Sequence, residues 1–132
     1  MKNNTKKLLR DLRYDIHKCD GWFWTEDLNG IKALEETLNN GFWIKEPDFN
    51  DLALEVLKFL EIIDDCGNID THTIQIRANV WSDEEEFNNH DKDSGFNCFE
   101  DYLESKANEV FYELEETIVK SLFVFHYTNF RE

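Results

Sequence analysis

The chain has 132 residues, 41% hydrophobic and 14% aromatic, enough for one domain with a packed core and too rich in Phe, Trp and Tyr for a disordered chain. Fourteen bases against twenty-nine acids leave a formal charge of −15. That balance disfavours direct contact with nucleic acid or an anionic membrane, because phosphate binding needs Lys and Arg. It is suited instead to a basic protein surface.

The charge is uneven: residues 1–20 hold six bases and three acids, so the rest of the chain carries a net of −18. MKNNTKKLLRDLRYDIHK, at the start, contains no apolar signal region, and no apolar run reaches the ~18–20 residues of a bilayer span. The expectation is a soluble, cytoplasmic protein.

Leu8, Leu9, Leu12 and Ile16 share one helical face and predict a helix over 5–18, stopped by Cys19-Asp20-Gly21. Trp22 to Trp24 read as a short strand. A second helix is predicted over 27–38, with Leu28, Ile31, Leu34 and Leu38 inward and Asn39-Asn40-Gly41 as its stop. Phe42 to Ile44 form another short extended piece, with Phe42 and Trp43 assigned to the core. Pro47, Asp48 and Asp51 mark the start of a third helix that buries Phe49, Leu52, Ala53, Val56, Leu60 and Ile63. The segments from Gly21 and Gly41 share a glycine–aromatic–acid–helix order, but two copies do not make a repeat.

THTIQIRANVW, residues 71–81, alternates His72, Ile74, Ile76, Ala78 and Val80 with Thr73, Gln75, Arg77 and Asn79. This period of two predicts a half-buried strand. A long helix follows over 98–118, with a stripe of Phe99, Leu103, Ala107, Val110, Phe111, Leu114 and Ile118. The aromatic tail SLFVFHYTNF is assigned to a terminal strand. The predicted fold is a single compact α+β domain of about four helices with a small antiparallel sheet centred on 71–81.

Between strand and helix lies SDEEEFNNHDKDSGFNCFEDYLES, residues 82–105, with nine acids and one base. One reading is a calcium loop: Asn89, Asp91, Asp93, Asn97 and Glu100 fall at the oxygen-donor positions 1, 3, 5, 9 and 12. Against it, position 6 is Ser94 rather than glycine, Gly95 comes one residue late, and position 1 is Asn. A second reading is a solvated face, with Asp83 to Glu86 in the first turn of a helix. It accounts for the run but not for the −18 of the body.

The third reading is imitation of phosphates. Helices and strands can set carboxylates at spacings comparable with those along a nucleic-acid strand. Asp83, Glu84, Glu85, Glu86, Asp91 and Asp93 supply such charges, and Glu109, Glu113 and Glu116 continue them on the outward side of the long helix. The segment VWSDEEEFNNHD, Val80 to Asp91, resembles the acidic segment of a small anti-CRISPR family that occupies the DNA-recognition cleft of a CRISPR nuclease. The resemblance implies that Asp83 to Glu86 and Asp91 contact arginines of a nuclease. In size, charge and aromatic content the chain is also similar to phage-borne anti-restriction proteins.

Phosphate-loop, dinucleotide, nucleophile-elbow and zinc-protease motifs are missing from the sequence, and Cys19, Cys66 and Cys98 form no C-x-x-C pair. No cofactor or catalysis is expected. Of the consecutive Trp22, Phe23 and Trp24, an extended chain turns at least one outward, so Trp22 and Trp24 are candidate contact residues. The leading expectation is a non-enzymatic acidic inhibitor of a basic nucleic-acid-handling protein such as a nuclease. The alternatives are a toxin-neutralising immunity protein anchored by Trp22 or Trp24, and a calcium-responsive adaptor.

Overall fold

The computed structural model of the chain describes residues 4–19, 28–77 and 98–130. Five helices account for most of them: α1 (Thr5–His17), α2 (Leu28–Gly41), α3 (Phe49–Phe59), α4 (Thr71–Arg77) and α5 (Phe99–Asn129). The expected strand at Trp22–Trp24 and residues 78–97, which hold the end of the expected central strand and most of the acidic run, lie outside the described residues.

The helix α1 begins where the Asn4 side chain accepts the Lys7 amide at 3.1 Å, and it buries Leu8, Leu9, Leu12 and Ile16 as their spacing predicts. One extra turn carries α2 through the expected stop, and the Phe42 amide still bonds the Leu38 carbonyl at 2.9 Å. At Gly41 an added Cβ would stand 3.3 Å from Leu52 Cδ2, so the missing side chain lets the end of α2 lie close on α3. Phe42 to Glu46 then form a turn and bends, in place of the expected extended piece.

Asp48 caps α3 by accepting the Asp51 amide at 3.1 Å. Its other end is a Schellman motif: the Ile62 amide returns to the Leu57 carbonyl at 3.2 Å and the Glu61 amide to the Lys58 carbonyl at 3.0 Å. Glu61 takes the left-handed conformation there, at φ 65. Ile63 is buried as expected, but beyond the helix, in an isolated antiparallel bridge with Ile69. The turn between them is held by Asp64, whose carboxylate accepts the Cys66 and Asn68 amides at 2.9 Å each. Gly67 completes it at φ +87.

The α+β expectation is overturned, because no sheet exists among the described residues. Residues 71–77, assigned to the central strand, are α4. Asp70 decides this locally: its carboxylate accepts the Thr73 amide at 3.0 Å and its carbonyl accepts the Ile74 amide, starting a helix. Over seven residues an alternating pattern also places single apolar side chains inward on a helix. Ile74, 1% exposed, packs in the core, where α4 lies against α5.

The tail is corrected for a related reason. SLFVFHYTN continues α5, because Ser121, Leu122, Phe125 and His126 recur at helical spacing and are all buried. The result is a helix of 31 residues, roughly 46 Å long. It contacts α1, α3 and α4, while α2 packs on α1 and α3. Its inner stripe is Ala107, Leu114, Ile118, Leu122 and Phe125, with Phe99, Leu103, Val110 and Phe111 half-buried.

Aromatic packing ties the 42–48 connection to α5. Phe42 is wholly buried, edge-on to Trp43 at 4.8 Å and to His126 at 5.2 Å. His126 Nε2–H donates to the Ile44 carbonyl at 2.6 Å, and its ring stacks on Phe130 at 4.6 Å. Trp43 Nε1–H donates to Thr5 Oγ1 at 2.8 Å, and that hydroxyl bonds Asn39 Oδ1. No described helix is long and apolar enough to cross a membrane.

Candidate functional site

Three of the predicted contact acids are in view. Glu109, Glu113 and Glu116 are all exposed on α5. At 1.5 Å rise per residue they are separated along the axis by about 6 Å and about 4.5 Å. That is one carboxylate per ~5 Å, sparser than the one phosphate per ~3.4 Å along a DNA strand. Lys106 Nζ reaches Glu109 at 3.3 Å, a solvated pair that contributes little.

Asp83, Glu84, Glu85, Glu86, Asp91 and Asp93 lie outside the described residues, as do Trp22 and Trp24. Of the calcium-loop positions only Glu100 is described; it is exposed in the first turn of α5. No group of three or more His, Cys, Asp or Glu among the described residues is arranged to hold a metal ion.

The structure adds a set of residues that the sequence reading missed. Tyr112, Phe123 and Tyr127 are 62%, 55% and 80% exposed on α5. With 100° per residue, Glu109, Tyr112, Glu116, Phe123 and Tyr127 fall within roughly 60° of arc, so they line one outward face about 27 Å long. Glu113 stands at the edge of that face, toward α1.

Support for this face comes from beneath it. Phe123 and Tyr127 stack at 6.4 Å with 15° between their planes, and Phe49 meets Phe123 edge-on at 5.7 Å. Phe49 in turn is held against His126 at 5.7 Å. Phe123 therefore rests on the buried histidine cluster through Phe49, and Tyr127 lies stacked on Phe123. Ile44, 47% exposed, lies beside the same cluster through its carbonyl bond to His126. The signal for these residues was the spacing of four, seven and four residues through Tyr112, Glu116, Phe123 and Tyr127, visible only once 119–129 is read as helix.

Among the cysteines, Cys66 and Cys98 are exposed and Cys19 is buried. Burial pushes the Cys19 thiol up from its ordinary range, opposed by its hydrogen bond to Thr117 and reinforced by the nearby Glu113 and Asp15 carboxylates. The thiol is therefore protonated and a weak nucleophile at neutral pH. No protein family, curated protein or solved structure matches this chain.

Proposed function

We propose that the chain is a non-enzymatic inhibitor that binds a basic, nucleic-acid-handling protein, with the outer face of α5 as a contact surface. The observation that carries this reading is the interleaving of exposed Glu109 and Glu116 with exposed Tyr112, Phe123 and Tyr127 on one continuous helix. The carboxylates, within a molecule of charge −15, attract and orient a positively lined cleft. The aromatic rings supply buried area once docked, the role such side chains play in interface hot spots. A nuclease of a restriction or CRISPR system is the most specific form of the proposal. That form rests on the acidic segment Val80–Asp91 rather than on α5.

The aromatic content of this face also favours a second reading, an immunity protein that plugs a toxin's active site. The two readings differ in which residues dominate. Immobilised chain is used to capture proteins from a lysate of its native host, in three forms: unaltered, Glu109→Lys/Glu113→Lys/Glu116→Lys, and Tyr112→Ala/Phe123→Ala/Tyr127→Ala. A nucleic-acid-binding partner released by salt and lost in the Lys variant supports the inhibitor. A toxin lost chiefly in the Ala variant supports the immunity protein. A partner retained by both variants rules out this face.

A further inference from the structure

A groove of about 540 Å³ opens along the seam of α1 and α5, within the ~300–1,000 Å³ of small-molecule sites. The two helices run antiparallel. Cys19 Sγ–H donates to Thr117 Oγ1 at 3.6 Å at one end, while Thr5 reaches the neighbourhood of Phe125 through Trp43 at the other. Val124 and Phe125 form an apolar wall, and Cys19, Thr117 and Ser121 place polar atoms on the floor.

Two properties of the groove point to a ligand. Ser121 is only 8% exposed and lines the groove, and its hydroxyl makes no hydrogen bond among the described residues. A buried hydroxyl without a partner is unfavourable, so a ligand acceptor there gains what the protein leaves unmade. The second property is charge. In a chain with twice as many acids as bases, this groove has three of each: Lys7, Lys18 and Lys120 against Asp11, Asp15 and Glu113. Two of the acids already have partners, Asp15 with Lys18 at 3.9 Å and Asp11 with Arg10 at 3.7 Å. Lys7 and Lys120 form no ion pair among the described residues. The unpaired lysines thus outnumber the one remaining acid, Glu113, and the groove is locally receptive to a negative group on a molecule that otherwise repels one.

We propose that the α1–α5 groove binds a small anionic amphiphile, an alkyl or aryl carboxylate, whose head is held by Lys120 and the Ser121 hydroxyl and whose body lies along Val124 and Phe125. A cationic amphiphile would meet Lys7 and Lys120. An alcohol would forgo the charge-assisted bond to Lys120. The groove meets the outer face at Glu113, but the residues assigned to the ligand, Lys120, Ser121, Val124 and Phe125, are untouched in both outer-face variants and no protein partner is needed, so either proposal can fail alone.

The probes are octanoate, octylammonium and octanol, titrated calorimetrically into the full chain. Octanoate is expected to bind at one site and to slow iodoacetamide alkylation of Cys19, with the other two binding about tenfold more weakly or worse. Lys120→Glu should weaken octanoate about tenfold, and Ser121→Ala by a smaller factor, with circular dichroism showing each variant folded. Lys120→Gln, which keeps the stem and removes only the charge, gives an intermediate loss. Absence of octanoate binding, equal binding of octanol, or undiminished affinity in Lys120→Glu and Lys120→Gln overturns the assignment.

Discussion

Glu61 sits where a helix end calls for glycine, and replacing it is a direct test of how α3 is terminated. It is exposed, with φ 65, at the left-handed position of a complete Schellman motif. Leu57 and Ile62, the two residues joined across that motif, are both wholly buried, so the motif itself is locked in place. A left-handed backbone destabilises an L-residue by about 1–2 kcal/mol. Glycine relieves that strain but widens the unfolded ensemble, offsetting about 0.4–1 kcal/mol. Glu61→Gly is therefore expected to stabilise the fold by roughly 1 kcal/mol, raising Tm by about 2–5 °C. Urea denaturation of Glu61→Gly and Glu61→Ala isolates the backbone contribution, since both remove the carboxylate and only Ala keeps the strain. If Gly gives no gain over Ala, backbone strain at this helix end is not being relieved and the argument fails.

Phe42→Ala should destabilise by about 3–5 kcal/mol in the same assay, because it empties a fully buried site packed by Trp43, Phe125 and His126. Asp70→Ala removes the cap of α4 and should lose about 1 kcal/mol; an unchanged midpoint would mean the cap is not what starts that helix. Cys19 should react with iodoacetamide more slowly than Cys66 and Cys98, as resolved by peptide mass mapping. Its folded thiol holds its proton more tightly than the unfolded one, so its contribution is full below the unfolded thiol's pKa and is lost as pH rises through the raised folded value. Cys19→Ala should accordingly flatten the alkaline fall in stability. Glu109→Gln/Glu113→Gln/Glu116→Gln brings the charge from −15 to −12 and should leave stability equal or slightly higher at low salt; a marked loss would show these carboxylates to be structural.

Helices α1 and α3 were legible because each carries a clean apolar stripe, joined in α3 by Pro47, Asp48 and Asp51 at its start. Segment 71–77 was misread because β-branched residues in strict alternation favour a strand, and the opposing cue was a single capping carboxylate at Asp70. In the tail, a run of aromatics looked like a strand, yet its helical spacing buries Phe125 and His126 while turning Phe123 and Tyr127 outward. That same error hid the proposed contact face: Glu109, Glu113 and Glu116 stand out as acids in the sequence, but Phe123 and Tyr127 join them on one helix only if it continues to Asn129. The sharp end of α3 was hidden as well, since Glu at a left-handed position leaves no mark in composition.

One rod serves two duties. The side of α5 turned inward closes the hydrophobic interior against α1, α3 and α4, and the side turned outward is the proposed contact surface. Whatever clasps the outer side therefore braces the interior too. Amide hydrogen exchange should slow along α1 and α3 on complex formation, even though neither helix presents the clasped surface, and thermal melting should become a readout of occupancy.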